Sequence, residues 1–220
     1  MACLASLGVT FPLNQSGFWT WQPHPEVWAL VVALALCEVY ATRVIGPKVV
    51  APGEQVMTRV QRRSWWLALF LLWLAADWPM HDWAEGYLYS VHMVQHLLLT
   101  LVIPPLVLLA TPEWLARLVL GPDRTHLPYR VYRLLTRPLF AGVLYAAVFA
   151  LGHWPQVVDL QLENGPFHYS FHVLYVVTAL LMWSCICGPL KELRISIPGQ
   201  IGYLFVLSIP PTVPGGWLVF

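Results

Sequence analysis

Long apolar runs separated by short polar segments dominate the chain. Six of these runs approach the roughly 20 apolar residues that a helix needs to cross the hydrocarbon layer of a membrane. Backbone polar groups inside lipid must be satisfied within the segment, and the runs are continuously apolar rather than alternating, so we interpret them as helices. The six predicted segments are residues 27–45, 65–77, 87–110, 139–153, 167–187 and 201–220.

Prolines interrupt two of the predicted helices. Pro104 and Pro105 lie inside the third run, where the missing N–H groups are expected to kink the helix and free backbone carbonyls. The last run is broken at Pro210, Pro211 and Pro214, and the chain stops inside it without a polar tail. The pattern therefore predicts an all-α, polytopic transmembrane helical bundle of six spans that lacks a further C-terminal span.

Composition favours a membrane protein over a large soluble core. Hydrophobic residues make up 58% of the 220 residues and charged residues only 10%, whereas a soluble domain carries about 25% charged residues. The N-terminus lacks the basic segment of a secretory signal, so we expect it to be retained. Residues 1–26 are predicted to form an outer N-terminal segment and residues 27–220 the transmembrane helical domain.

The basic residues give the predicted helices an orientation. All twelve lysines and arginines fall in three polar segments that follow the first, third and fifth runs. The positive-inside rule places these segments in the cytoplasm and the N-terminus outside. The basic residues are Arg43, Lys48, Arg59, Arg62 and Arg63, then Arg117, Arg124, Arg130, Arg133 and Arg137, and finally Lys191 and Arg194.

Seven of the eight histidines lie on the opposite, outer side in this topology, and only His126 is on the basic side. Two pairs have a spacing of four residues, which puts each pair on one face of its helix. Imidazole inside a membrane is costly and usually functional, and neutral imidazole binds Cu, Zn or Fe. The predicted metal ligands are His92, His96, His168 and His172, with His81 and His153 as flanking residues.

Neighbouring side chains fit a metal site, although the histidines have a simpler interpretation. Thioether sulfur favours Cu(I), and methionines stand next to His81 and His92 in the sequence. Alternatively, the histidines hydrogen-bond between helices and hold the bundle together. The methionines are Met80 and Met93, and the carboxylates that could orient the rings are Asp77, Asp82, Glu85 and Asp159.

Three further residues are weaker candidates. Glu38 is expected to be buried in the first helix, either as a polar packing partner or as part of a proton or ion relay. Cys185 and Cys187 have the spacing of a soft metal pair, but they lie near the cytoplasmic end, a membrane thickness from the histidines. Apolar packing is the better interpretation of these cysteines.

Several motifs spread along the chain resemble the CtaG family of bacterial cytochrome c oxidase assembly factors. The resemblance implies a seven-span protein of the bacterial cytoplasmic (inner) membrane, of which this chain ends about one span early. The motifs are Trp19-x-Trp21-x-Pro23, Asp82-Trp83, Tyr87, His92-Met93-x-Gln95-His96, Pro104-Pro105-Leu106, Leu108-Leu109-x-x-Pro112, His153-x-Pro155 with Asp159, and His168-x-x-x-His172.

The resemblance implies a role in building active haem-copper oxidase, with copper delivery as one means. Cytochrome c oxidase subunits, a copper donor protein and the lipid bilayer are then the expected partners, and copper the expected ligand. No catalytic acid–base set, nucleophile, phosphate loop or nucleic-acid signature is present in the sequence, so we expect neither an enzyme nor a nucleic-acid partner. Two alternatives remain open: a b-type haem electron carrier with haem between the paired histidines, and a copper transport or resistance protein.

Overall fold

The structure is a computed structural model that describes residues 21–86 and 88–209, and every regular element in this part of the chain is helical. Short connections join successive helices along the described part of the chain. The helices are α1 (Pro25–Tyr40, a π-helical turn Ala41–Ile45, then Gly46–Val49), α2 (Arg59–Ala76), α3 (Met80–Gly86), α4 (Tyr89–Leu97, a π-helical turn Leu98–Val102, then Ile103–Ala110), α5 (Glu113–Leu120), α6 (Leu127–Leu135), α7 (Pro138–Gly152), α8 (Pro155–Glu163), α9 (Gly165–Cys187) and α10 (Ile197–Ser208).

Among residues 21–86 and 88–209, fewer helices than predicted are long and apolar enough to cross a membrane. Three qualify by length and composition, namely Pro25–Val49, Ser90–Ala110 and Gly165–Cys187, and a fourth forms if α6 and α7, bent by 65°, count as one span. Helix α2 corresponds to the predicted second span, but three arginines in its first five residues reduce its hydropathy. Helix α10 has 12 residues. In the part of the chain that the structure describes, three to four spans are therefore supported by length and composition, and the predicted count of six is not confirmed, although all six predicted segments contain helix.

The basic residues and the histidines gather at opposite ends of the bundle. At one end, here called the arginine end, the Trp114 indole donates to the Val56 carbonyl at 2.7 Å and Arg117 donates to Glu192 at 2.6 Å. At the other, here called the histidine end, the Trp28 indole donates to the Asp77 carboxylate at 2.8 Å. The separation of the two residue types along the sequence is thus also a separation in space.

Helix α4 contains the proline pair, and its irregular turn provides a bond to α9. Pro104 has no N–H to donate to the Thr100 carbonyl four residues earlier. The indole Nε1 of Trp183 in α9 donates to that carbonyl at 2.9 Å. Leu99 and Ile103 pack beside this bond in a buried apolar cluster with Ala75 of α2. The prediction that the prolines free a carbonyl is confirmed, and the carbonyl fixes α9 against α4.

Trp183→Phe should test this bond between helices. The variant keeps the aromatic bulk but leaves the Thr100 carbonyl buried without its donor, which costs about 1–3 kcal/mol of unfolding free energy. We expect a lower thermal unfolding midpoint, followed by circular dichroism in detergent. Trp66→Phe is the matched control, because the Trp66 side chain is 47% exposed. Equal midpoints for the two variants would contradict the assignment.

Two of the weaker candidates can be placed in the fold. Glu38 is partly exposed rather than buried, and it lines a recess of about 150 Å³ shared with Arg43 and Arg62, so the expectation of burial was wrong. Cys185 is fully buried and its thiol donates to the Met182 carbonyl, which fits packing. The prolines of the last predicted run and the aromatic residues Trp19 and Tyr87 lie outside the described residues.

Candidate metal centre at the histidine end

Three helices and one helix terminus bring the six predicted histidines together. Helix α4 carries His92 and His96, and α9 carries His168 and His172 one helical turn apart. His153 is the C-terminal cap of α7. His81 lies in the short helix α3 rather than in the loop that the sequence suggested. Because α4 and α9 are neighbours, the two histidine pairs face each other.

Some of the distances between rings of different elements fall in the range that metal coordination requires. A metal–nitrogen bond of about 2 Å puts two ligating imidazole centroids about 5–6 Å apart. The ring centroids of His92 and His168 are 6.1 Å apart, and those of His92 and His172 are 6.4 Å apart. His96 lies 5.4 Å from His172 and 5.4 Å from His153. The two distances from His96 therefore fall within this range, and the two from His92 lie slightly beyond it.

The ring nitrogens of the clustered histidines do not point towards a common centre. Within each helix the rings are closer, at 4.3 Å for His92 and His96 and 4.4 Å for His168 and His172. Among residues 21–86 and 88–209, no three His, Cys, Asp or Glu side chains are arranged to hold a metal ion as they stand. Binding a metal would need the imidazoles to rotate about their side-chain torsions, while the helices keep their places.

His96 is almost completely enclosed. Its side chain is only 4% exposed, and neither of its ring nitrogens has a hydrogen-bond partner in the described part of the chain. Rings surround it, with His92 at 4.3 Å and Tyr175 at 5.0 Å. A buried polar group without a partner costs about 1–3 kcal/mol, so this position is unfavourable unless something else binds the ring.

His153 is oriented by the backbone of its own helix. Its Nδ1 donates to the Phe149 carbonyl at 2.7 Å, and the Phe149 ring stacks on it at 4.3 Å. A neutral imidazole that donates through Nδ1 has its lone pair on Nε2. His153 therefore has a hydrogen bond from its second ring nitrogen to a backbone carbonyl, and such a bond fixes the tautomer in many metal-ligating histidines.

His81 has a different environment, because both of its nitrogens are engaged. The Gln95 amide Nε2 donates to the Ala75 carbonyl at 2.7 Å and lies 3.2 Å from His81 Nδ1. Because the Ala75 carbonyl can only accept, the Gln95 group that faces it must be the NH2 group. The second N–H of that group donates to His81 Nδ1. His81 Nε2 then donates to the Tyr169 hydroxyl at 3.1 Å. This arrangement suits a positioning residue better than a ligand.

His24 is a neighbour that the sequence analysis did not include in the site. Its Nε2 lies 3.1 Å from Asp82 and its Nδ1 3.2 Å from Glu26. Its ring meets that of His81 edge-on at 4.9 Å. Burial lowers the pKa of His24, but the hydrogen bonds and charges of Asp82 and Glu26 outweigh it and raise the pKa above its ordinary value. The position of His24 on the predicted outer side, just before the first helix, was the sequence feature that could have added it to the predicted site.

The predicted auxiliary side chains are only partly in place. Asp82 binds His24, and Asp77 accepts from Trp28, so both carboxylates lie close to the cluster. Asp159 is exposed on α8. Met80 packs against the apolar cluster of Ala75, Leu99 and Ile103, and the side chain of Glu85 lies outside the described residues.

Comparison with known proteins gives the family. The family model described as cytochrome c oxidase caa3 assembly factor (Caa3_CtaG) matches residues 39–220. Two uncharacterized proteins, one from Mycobacterium bovis and one from Mycobacterium tuberculosis, are each 31% identical over 170 residues, which is 68% of this chain. The chain spans 26% of the length of each of these relatives. No solved structure matches. The chain belongs to the Caa3_CtaG family of cytochrome c oxidase assembly factors.

Proposed function

We propose that this protein assists cytochrome c oxidase assembly by holding copper, as cargo, at the histidine end of its bundle. The observation that carries the proposal is the buried, unpartnered imidazole of His96 in a cluster with the three other predicted ligands and the flanking histidines. Neutral imidazole is a suitable ligand for copper in either common oxidation state. A bound metal would supply the partner that the ring nitrogens of His96 lack.

The proposed ligands come from three helices, and their neighbours keep them in register. His92, His96, His168 and His172 form the core of the site, with His153 as the nearest additional donor. Ligation would need the rings to rotate, and the ring of His92, now 6.1 Å from that of His168, to approach α9 slightly. His81, held by Gln95 and Tyr169, supports the side of the cluster at which α3 crosses it.

In this proposal the histidine end faces the outside of the bacterial inner membrane. All twelve basic residues lie in the segments of the arginine end, which the positive-inside rule places in the cytoplasm. Helices α2 and α10 would complete six crossings, with the arginines of α2 reaching the headgroups from its first turn. The oxidase subunits that accept copper, and a donor protein that supplies it, would then meet this chain on the outer side.

Cysteine labelling tests this orientation. In a variant with all four cysteines replaced by alanine, a single cysteine at exposed Gln156 in α8 should react with an impermeant maleimide on intact cells. A cysteine at exposed Thr125, between α5 and α6, should react only after the cells are opened. The opposite pattern would invert the proposed topology, and labelling of both positions on intact cells would contradict it.

Copper stoichiometry tests the proposed function directly. We expect protein purified in detergent to retain copper, and a variant with His92, His96, His168 and His172 replaced by alanine to lose it and to fail to support oxidase assembly. His126→Ala is the matched control, because His126 is exposed at the arginine end and bonded to Asp123. Copper retained by the quadruple variant would disprove the site. Strong visible absorption bands that vanish in that variant would instead favour the haem carrier.

A further inference from the structure

A recess lined by indoles opens beside the histidine cluster, and the copper site does not use it. It has a volume of about 520 Å³ and lies between the first turn of α1 and the last turn of α2. This volume is within the range of about 300–1,000 Å³ that is usual for small-molecule sites. The lining side chains include Trp21, Trp28, Trp73, Trp78 and Asp77.

The carboxylate of Asp77 distinguishes this recess from an ordinary aromatic belt. Asp77 is 4% exposed, and one oxygen accepts from the Trp28 indole at 2.8 Å. The other oxygen is buried and has no hydrogen-bond partner within the described residues. A buried carboxylate oxygen of this kind needs a donor, and a cationic donor satisfies it best.

The chain offers no lysine or arginine for this purpose. None occurs before Arg43, between Arg63 and Arg117, or between Arg137 and Lys191, so every segment of the histidine end lacks them. The indoles add a second attraction for a cation, since the face of an indole is the best aromatic partner for an ammonium group. Trp21 is 57% exposed, and Trp28 and Trp73 are each 39% exposed, so their rings are accessible from outside.

We propose that the indole–carboxylate recess of Trp21, Trp28, Trp73, Trp78 and Asp77 binds the primary ammonium headgroup of a phospholipid. A primary ammonium carries N–H donors for the unpartnered Asp77 oxygen, whereas a quaternary ammonium carries none. The recess lies where α1 begins and α2 ends, which is the depth of the lipid headgroups for helices that cross a membrane. A headgroup anchored there would fix the entrance to α1 beside the histidine cluster.

Lipid titration tests the proposal. Delipidated full-length protein in detergent is titrated with phosphatidylethanolamine or with phosphatidylglycerol of the same acyl chains, and bound lipid is counted by native mass spectrometry. We expect phosphatidylethanolamine to bind about tenfold more tightly, and Asp77→Asn to abolish that preference because the amide keeps the shape but not the charge. Asp159→Asn, an exposed carboxylate in α8, should leave the preference unchanged.

A second variant protects the test against a folding defect in Asp77→Asn. Trp73→Leu keeps an apolar side chain at a partly exposed position and should reduce the preference about threefold, with helical content by circular dichroism unchanged. Equal binding of the two lipids by the unmodified protein would overturn the proposal. A full preference in a folded Asp77→Asn protein, or in Trp73→Leu, would overturn it as well.

Discussion

Replacing His96 by alanine should weaken copper binding by more than about 100-fold, the largest effect expected of any single substitution in the cluster. Loss of a residue that merely orients a ligand costs roughly 10–100-fold in metal affinity, and loss of a ligand costs more. His96 lies between the rings of His172 and His153, 5.4 Å from each, so removing it takes away the central donor. A copper titration with a competing chelator measures the change.

The comparison with His81 makes this prediction specific. Both nitrogens of His81 are engaged by Gln95 and Tyr169, so His81→Ala should fall within the positioning range of roughly 10–100-fold. His81→Gln, which can keep one of these bonds, should lose less than His81→Ala. If His81→Ala were more damaging than His96→Ala, the assignment of ligand and positioning roles would be reversed.

The gathering of the histidines was predictable, because it follows from two simple features of the sequence: the spacing within each pair and the separation of the pairs from the basic residues. A spacing of four residues puts His92 and His96 on one helix face, and the same rule applies to His168 and His172. The separation of basic residues from histidines along the chain then places both pairs at one end. Neither inference depends on the detailed packing of the helices. Both could therefore be made from the sequence.

The hydrogen bonds of the individual rings were not predictable from the sequence. The state of His81 depends on Gln95, which contacts it only because the Ala75 carbonyl of another helix holds the amide. His24 reaches Asp82 across 58 positions of sequence. Such contacts depend on how the helices pack, and a spacing rule within one helix carries no information about them.

Local features of two helices explain why the predicted number of spans is not confirmed. Pro138 begins α7 and disfavours helical geometry in the residue before it, so Arg137 is extended with ψ 129° and the chain bends by 65° between α6 and α7. The predicted fourth segment, residues 139–153, therefore corresponds to α7 alone, whose 15 residues are too few to count as a span without α6. Helix α2 also fails the criterion for an apolar span. Its first turns contain Arg59, Arg62 and Arg63, which shorten the apolar part without shortening the helix.

Gly152→Ala should destabilise the bundle and disturb the histidine cluster, because Tyr175 lies between position 152 and His96. A Cβ at position 152 would overlap the Tyr175 hydroxyl and lie 2.9 Å from the ring of Phe171. Tyr175 is 1% exposed and packs 5.0 Å from His96, so it has no open space to enter. Overpacking of this kind costs about 1–3 kcal/mol of unfolding free energy.

We expect Gly152→Ala to lower the thermal unfolding midpoint and also to weaken copper binding, because Tyr175 must move against His96. Tyr175→Phe in the same chain removes the hydroxyl that the new methyl meets first and should restore part of the stability, as contacting residues couple in double-mutant cycles. Gly202→Ala in α10 is the matched control, since a Cβ there meets nothing within 4 Å. A glycine in a helix interior is destabilising by roughly 0.5–1 kcal/mol relative to alanine, so the control should be neutral or slightly stabilising. If both glycine variants unfold at the same temperature, the close contact of α7 with Tyr175 does not constrain the site.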